Sequence, residues 1–199
     1  MLRSSILHKG QSVSIALVHG LFTHEGYWLP YLELLRKFRL VLIGVPYGDK
    51  RFDPFSAGDV LDGILGEEKV QVVVGHSLGA SLVRVTRSDA RKVLICDVGG
   101  AQRRRASPFE TMTSLFGKIS EEEKVLSMEN AKKLYLVANK CQEDVDFVFT
   151  PTDDEYFNYS NEPNFSGTHF KIESAILQLT QLLSLEEPRP SGVSERSIV

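Results

Sequence analysis

The chain has 199 residues, which is enough for one domain with a substantial core and too few for two ordinary domains. Hydrophobic residues make up 42% and charged residues 25%, and the formal net charge of −3 gives no reason to expect nucleic acid or a membrane surface as partner. Two cysteines are too few for a disulfide framework, and no apolar run is long enough to span a bilayer. We therefore expect a cytoplasmic protein, with Cys96 as a reduced and buried thiol.

Short apolar runs along the chain predict the strands of a sheet. Four of them begin at Val13, Arg39, Val70 and Lys92, and they read VSIALVHG, RLVLIGVP, VQVVVGHS and KVLICDVGG. Runs that are apolar throughout, rather than at alternate positions, are typical of parallel strands buried on both faces. VDFVFTP, from Val145, predicts a fifth strand, and SSILH near the start predicts an additional edge strand.

Amphipathic segments between these runs predict helices over residues 27–38, after Ser77, over 121–141 and over 171–183. LYLVA, within the third segment, is also compatible with a strand. Alternation of strands and helices implies right-handed crossovers. The fold class predicted is therefore α/β, with a doubly wound, mostly parallel sheet of about six to seven strands.

The domain organisation follows from where this alternation holds. We expect residues 1–185 to form a single domain, with a small cap or lid around residues 100–142, where the alternation is interrupted. The tail over 186–199, EEPRPSGVSERSIV, has little apolar surface to bury, so we expect it to be disordered.

The segment Gly75-His76-Ser77-Leu78-Gly79 follows one of the strands and opens a helix. A nucleophile at a sharp strand-to-helix turn needs neighbours without side chains, so that the backbone can turn closely. The same turn places the hydroxyl near a helix N-terminus, where amides and the dipole favour developing negative charge. We interpret Ser77 as a nucleophile; the alternative is a glycine-rich turn with a serine N-cap.

A second segment, His19-Gly20-Leu21-Phe22, closes the first of the four long strands. Acyl transfer needs two hydrogen-bond donors aimed at the position where a carbonyl becomes an oxyanion. The backbone amide of Leu78 is one candidate, and the amide of Leu21 or Phe22 is the other. We expect His19 to shape this turn rather than to carry a proton.

These two segments together resemble the α/β-hydrolase family, in particular its small cofactor-free esterases and thioesterases. The resemblance covers residues 13–183, and LVHGLFTHEGYWLPYLELL followed by RLVLIGVPYGD is similar to the family's opening strand–loop–helix–strand. Family members usually have two strands before this point, whereas this chain has room for one. The resemblance implies an α/β-hydrolase fold with a truncated N-terminus and a small cap.

The family order of nucleophile, acid and histidine leaves one histidine of this chain as the base. Of the five histidines only His169 follows Ser77, and it lies in Gly167-Thr168-His169-Phe170, a loop that leads into the last amphipathic segment. A neutral imidazole there would take the hydroxyl proton of Ser77 and later return it to the leaving group.

The acid that orients this histidine has four candidates. Asp153 comes just after the strand VDFVF and is preferred, and Asp154 next to it meets the same requirement. Asp144 becomes the better choice if LYLVA is a strand, and Asp97 would serve in the arrangement in which the acid follows the preceding strand.

The sequence thus predicts a serine hydrolase that cleaves a small-molecule ester or thioester through an acyl-enzyme on Ser77. Two alternatives remain open: other chemistry on the same fold, such as lactone, amide or C–C bond cleavage, and a ligand-binding scaffold without catalysis. No cofactor or metal is implied, since metal-ligand and phosphate-binding motifs are missing. The three arginines 103–105 would attract an anionic substrate, or they form a solvated loop.

Overall fold

The computed structural model describes residues 1–8, 11–99, 102–103, 119–141 and 144–185. In chain order the strands are β1 (Arg3–Leu7), β2 (Ser14–Val18), β3 (Arg39–Gly44), β4 (Val72–His76), β5 (Arg91–Ile95), β6 (Gln102–Arg103), β7 (Phe147–Phe149) and β8 (Phe157–Asn158). The α-helices are α1 (Ala57–Glu67), α2 (Leu78–Arg84), α3 (Glu121–Ala138) and α4 (Glu173–Leu185), and a 3₁₀ helix covers Glu25–Tyr31.

Six of the described strands form one sheet in the order β1-β3-β2-β4-β5-β7. β2, β3, β4, β5 and β7 are mutually parallel, and β1 pairs antiparallel with β3 at one edge. The predicted α/β fold with a mostly parallel sheet is confirmed, including the single early strand at the edge. β6 and β8 form a separate two-stranded antiparallel ladder.

Two apolar layers cover the two faces of the sheet, as a doubly wound fold requires. Successive residues of β2 alternate between them: Ala16 and Val18 face α1, α2 and α3, whereas Ile15 and Leu17 face the 3₁₀ helix and α4. The four side chains are fully buried, which explains why the strand reads as a continuous apolar run rather than an alternating one.

The helix predictions hold in three of four places. Residues 121–141 form a helix to Ala138, so LYLVA is helical and not a strand, and the helices after Ser77 and near 171–183 are present. The helix predicted over residues 27–38 is wrong: a 3₁₀ helix ends at Tyr31 and turns follow it. Pro30 lies inside this segment and has no amide hydrogen to continue an α-helical ladder.

One helix was not predicted from the sequence. α1 buries Leu61 and Leu65 against the sheet and leaves Asp59, in its first turn, exposed. Ser56 before it, with apolar residues four apart, is a helix signal that was available in the sequence.

The predicted cap and tail fall mostly outside the described residues. Within the proposed cap at 100–142, the structure describes 102–103 and 119–141; of these, α3 buries Ala131 and Leu134 in the apolar layer that also holds Leu78. The stretch 104–118 and the tail 186–199 lie outside the described residues, so the cap and the disordered tail stay predictions.

Candidate active site

Ser77 stands at a sharp turn between β4 and α2, with a backbone φ of 55° and ψ of −119°. A Cβ on Gly75 would come within 2.5 Å of the Gly79 carbonyl oxygen, and a Cβ on Gly79 within 2.5 Å of the Val18 carbonyl oxygen. Both glycines are therefore required by close backbone contacts around the turn. The side chain of Ser77 makes no helix-capping bond, so the alternative of a serine N-cap does not describe it.

The hydroxyl of Ser77 meets the imidazole of His169. Ser77 Oγ lies 2.9 Å from His169 Nε2, and both residues are buried, at 7% and 1% exposed. The structure therefore brings together the two residues that the sequence singled out as nucleophile and base, although 92 positions separate them in the chain.

The acidic partner of this imidazole is Asp154, not Asp153. His169 Nδ1 donates to Asp154 Oδ2 at 2.8 Å, and both side chains are buried. Asp153 is exposed, and its backbone amide donates a hydrogen bond to the Gly167 carbonyl. The preferred acid candidate of the sequence is thus displaced by one residue, since the chain turns after Asp153 and directs only the next carboxylate inward.

Local hydrogen bonds fix the direction of that turn. Oδ1 of Asp154 accepts the backbone amides of Tyr156 at 2.7 Å and of Phe157 at 3.0 Å, so the side chain folds back over the loop that follows it. Aspartate commonly makes this kind of bond in turns. Because two aspartates are adjacent here, the sequence alone does not show which of them makes it.

The short spacing between the acid and His169 is accommodated by two chain segments running side by side. Pro151 forms a parallel bridge with Phe165, and the Thr152 amide donates to the Phe165 carbonyl at 3.0 Å. Because these bonds hold the segment after β7 against the segment before His169, only a compact loop is needed between them.

The other two acid candidates lie elsewhere. Asp97 is buried in an ion pair with Arg84, whose Nε is 3.0 Å from Asp97 Oδ2, and it also accepts the Gly99 amide. Asp144 is exposed, and LYLVA is helical, which removes the condition that favoured it.

The charge on Asp154 is maintained by its hydrogen bonds. Burial by itself would raise the pKa of this carboxyl group, but bonds from His169, Tyr159 and the Tyr156 amide, together with attraction to His169, lower it below its usual value. A carboxylate that accepts Nδ1–H keeps the proton of a neutral imidazole on that nitrogen, so Nε2 is left as the acceptor for the Ser77 hydroxyl.

The turn after β2 lies directly against the nucleophile. A Cβ on Gly20 would be 3.0 Å from the Cβ of Ser77. The Val45 amide donates to His19 Nε2 at 2.9 Å, so the proton of this ring is on Nδ1, which lies 2.8 Å from the Gly20 carbonyl oxygen. Burial lowers the pKa of His19 to about 4, so the ring is neutral near pH 7, as expected of a residue that shapes the turn.

The two backbone donors considered for an oxyanion border this contact. Leu78 is the first residue of α2, where helical geometry leaves the amide without an acceptor inside the helix. Leu21 follows Gly20 in the turn, and Phe22 after it has a φ of 59°. Both segments thus adjoin Ser77: Leu78 follows it in the chain, and a Cβ on Gly20 would lie 3.0 Å from the Ser77 Cβ.

The backbone carbonyls of His169 and Phe170 accept hydrogen bonds from two side chains. His76 is completely buried and its Nε2 lies 2.7 Å from the His169 carbonyl oxygen, to which it donates. Tyr31 donates from its hydroxyl to the Phe170 carbonyl at 3.0 Å. Burial lowers the pKa of His76 to about 3, so this ring remains a neutral hydrogen-bond donor near pH 7.

Tyr159 is a residue of this site that the sequence analysis missed. Its hydroxyl donates to Asp154 Oδ2 and lies 3.1 Å from His169 Nδ1. No motif marks it, because it follows the acid by five positions in an irregular loop. Its position is set by the turn of that loop and not by strand or helix periodicity.

One grouping among the described residues has the composition of a metal site. Possible ligand atoms of Cys96, Asp154 and His169 lie within 4.8 Å of one another. His169 Nδ1 and Asp154 already share a hydrogen bond, so we assign this grouping to the hydrogen-bonded network and not to an ion. Cys96 is a free, buried thiol, as predicted.

A cleft of about 490 Å³ opens next to the turn after β2. Its lining includes Phe22, His24, Tyr47, Ile119, Glu123 and Ser127, so it runs from the oxyanion candidates to α3. The side chains of residues 103–105 lie outside the described part of the chain, and the suggested role of these arginines stays a prediction.

Comparison with known proteins agrees with this architecture. The sequence profile of the alpha/beta hydrolase family matches residues 15–156, which is more than half of the chain. The chain belongs to the α/β hydrolase family. Among curated proteins, no sequence matches it significantly.

Solved structures of α/β hydrolases share the fold at low sequence identity. The NocB thioesterase domain, in covalent complex with a fluorophosphonate nocardicin G analogue, is 13% identical with a TM-score of 0.64, covering 92% of this chain and 100% of that one. The esterase EaEST from Exiguobacterium antarcticum is 11% identical with a TM-score of 0.63, covering 92% and 94%. The N-acyl homoserine lactonase AidH, bound to N-hexanoyl homoserine lactone, is 14% identical with a TM-score of 0.60, covering 92% of each chain.

No helix in the described part of this α/β hydrolase is both long enough and apolar enough to cross a membrane.

Proposed function

We propose that this α/β hydrolase is a serine hydrolase that cleaves a small-molecule ester or thioester through an acyl-enzyme on Ser77. The observation that carries the proposal is the buried chain of hydrogen bonds from Ser77 Oγ through His169 to Asp154, with links of 2.9 Å and 2.8 Å. Serine, histidine and carboxylate in this order are the groups that acyl transfer requires.

The mechanism follows from these contacts. His169 Nε2 takes the hydroxyl proton as Ser77 Oγ attacks the acyl carbon, and Asp154 stabilises the imidazolium that forms. The proton then passes to the leaving alcohol or thiol as its bond to the acyl carbon breaks. Water attacks the acyl-enzyme in the second half, with His169 again acting as base and Ser77 as the leaving group.

The oxyanion that forms in each half needs donors that are already in place. We assign this role to the backbone amides of Leu78 and Leu21, because Leu78 begins α2 and the Gly20 turn contacts Ser77. We assign substrate binding to the cleft beside Phe22, since Phe22 directly follows Leu21 in the chain and lines this cleft.

We further propose a cytoplasmic location. Its support is that Cys96 and Cys141 are both free thiols, which suits a reducing compartment.

A panel of acyl substrates tests the proposal. Short- and long-chain esters, thioesters, lactones and anilides are offered to wild-type protein and to Ser77→Ala. We expect ester or thioester turnover that falls by about 10³-fold or more in the variant. Turnover that persists in Ser77→Ala contradicts the acyl-enzyme, and exclusive cleavage of lactones or amides selects the other chemistry.

A serine of α2, the helix that follows Ser77, provides the matched control. Ser81 is fully buried and its Oγ has no hydrogen-bond partner, so Ser81→Ala removes the same atoms close to the site without touching His169. We expect this variant to keep its activity within about twofold, because removal of the hydroxyl breaks no hydrogen bond and leaves no partner unsatisfied. If no substrate turns over in well-folded wild-type protein, the ligand-binding scaffold becomes the better hypothesis.

A further inference from the structure

The hydroxyl of Tyr159 lies where the other polar groups behind His169 meet. It donates to Asp154 Oδ2 and lies 3.1 Å from His169 Nδ1, and the thiol of Cys96 contacts it from the end of β5. The same carboxylate oxygen, Oδ2, also accepts the Nδ1 proton of His169. Two donors therefore share the oxygen that orients the imidazole.

The second oxygen of this carboxylate is also occupied. Oδ1 accepts the backbone amides of Tyr156 and Phe157, so each oxygen of Asp154 has two donors. Every hydrogen bond to a carboxylate withdraws charge from it and so weakens its attraction for a neighbouring imidazolium. The backbone donors could be removed only by proline, which would also constrain the loop, whereas Tyr159→Phe removes the hydroxyl donor alone.

We propose that the Tyr159 hydroxyl is a positioning group that shares Asp154 Oδ2 with His169 Nδ1 and so draws charge from the carboxylate. This inference rests on the proposed function, because it assigns Asp154 and His169 to the acid and the base. Its consequence for the reaction is a carboxylate that orients the imidazole of His169 while attracting an imidazolium less strongly.

The other titratable groups around His169 do not obscure the effect of Tyr159 on the charge of Asp154. Among the residues that the structure describes, those that contact its ring or backbone are Asp154, Tyr156, Tyr159, His76, Cys96 and Ser77. Burial raises the pKa of both Tyr159 and Cys96, so near pH 7 each remains protonated. Asp154 is therefore the charged member of this set, and a change in its hydrogen bonding acts on His169 directly.

Removal of the hydroxyl has a defined expected effect on the titration of His169. In Tyr159→Phe the carboxylate keeps more charge for the imidazolium, so we expect the midpoint to move upward by about 0.5–1 pH unit. The titration is followed by NMR of histidine-labelled protein, and the signal of His169 is identified by its loss in His169→Gln. This readout needs neither substrate nor turnover.

Tyr31→Phe is the matched control. It removes a tyrosine hydroxyl that donates to the Phe170 carbonyl, next to His169 but not to the carboxylate. We expect its midpoint to stay at the wild-type value. A midpoint in folded Tyr159→Phe that is unchanged, that moves downward, or that moves equally in Tyr31→Phe overturns the proposal.

A third variant tests the effect while the hydroxyl of residue 159 is kept. It also provides the test if Tyr159→Phe does not fold. Incorporation of 3-fluorotyrosine at position 159 makes the phenol a stronger donor and keeps its size. We expect the midpoint to move downward, the opposite direction from Tyr159→Phe. An unchanged or upward midpoint contradicts the proposal.

The rate at which a fluorophosphonate labels Ser77 separates this inference from the proposed function. If wild-type protein is labelled, the acid limb of the labelling rate must shift with the NMR midpoint in each variant. If it is not labelled while the midpoint shifts as expected, the role of Tyr159 stands and the proposed hydrolysis fails.

Discussion

Two loops of this α/β hydrolase each hold a buried histidine at the carboxyl end of a parallel strand, and only one of them has a carboxylate partner. In the turn after β2, His19 bonds to the Val45 amide and the Gly20 carbonyl, which are backbone groups. In the loop after β7, His169 bonds to Asp154 and to the Ser77 hydroxyl. A buried imidazole can take up a proton at moderate cost only where a nearby anion stabilises its charge.

The comparison shows that burial alone does not distinguish a structural histidine from a base. His19 and His169 are each 1% exposed, and His76 is completely buried. What distinguishes His169 is the carboxylate of Asp154 on its Nδ1. His19 also has a hydroxyl partner, since Thr23 Oγ1 lies 3.1 Å from its Nδ1, but its hydrogen bonds within the described residues include no anion. Chain order also identified His169, because it alone of the histidines follows Ser77.

The largest effect is expected from loss of the imidazole itself. In His169→Gln the Ser77 hydroxyl has no base, so we expect its turnover and labelling rates to fall by about 10³-fold or more. His8→Gln is the control, since that histidine follows edge strand β1, whose last residue pairs with Leu40 at the start of β3, away from the carboxyl ends of the parallel strands. Comparable losses in the two variants would show that His169 has no special role.

The two adjacent aspartates provide the next test. In Asp154→Asn the imidazole loses the charge that stabilises its protonated form, and we expect the rate to fall by about 10²–10⁴-fold. Asp153→Asn, at an exposed side chain, is expected to stay within about twofold. A greater loss in Asp153→Asn than in Asp154→Asn would restore the assignment favoured by the sequence.

A smaller effect is expected on stability in acid. The pKa values of His19 and His76 are lowered by burial to about 4 and about 3, whereas an unfolded histidine titrates near 6.5. The unfolded chain therefore binds more protons below about pH 6.5, and each histidine removes about 1.4 kcal/mol of stability per pH unit down to its folded pKa.

Denaturant unfolding at two pH values measures this effect. From about pH 7 to about pH 5, we expect these two histidines to lower the free energy of unfolding by about 4 kcal/mol. The stabilising contribution is fully present above about pH 6.5 and decreases as the pH falls. A free energy of unfolding that is unchanged over this range would contradict the account of both rings as buried and neutral.

The sheet and the pair Ser77 and His169 could be predicted from the sequence. The sheet depends on local apolar runs, Ser77 on a local glycine motif, and His169 on its order in the chain. Ile15 and Leu17 belong to a run that is apolar on both faces. The two glycines around Ser77 are required because a Cβ at either one would come within 2.5 Å of a backbone carbonyl oxygen. Asp154 and Tyr159 could not be predicted in this way. Their roles depend on how an irregular loop turns, and no periodicity specifies that.

The segment after residue 27 shows the converse case, in which a periodic pattern misled. Its apolar spacing suits an α-helix, and Trp28 and Leu35 are indeed fully buried. The backbone nevertheless forms a 3₁₀ helix that contains Pro30 and ends at Tyr31, followed by turns. Burial of the apolar side chains was predicted correctly, whereas the backbone conformation that achieves it was not.

The most direct test of the central claim is the location of a covalent adduct. Wild-type protein, Ser77→Ala and His169→Gln are treated with a fluorophosphonate and analysed by peptide mass. We predict one adduct on the peptide that contains Ser77, no adduct there in Ser77→Ala, and much slower labelling in His169→Gln. Folded wild-type protein that forms no adduct, or forms it on another residue, would contradict Ser77 as the activated nucleophile.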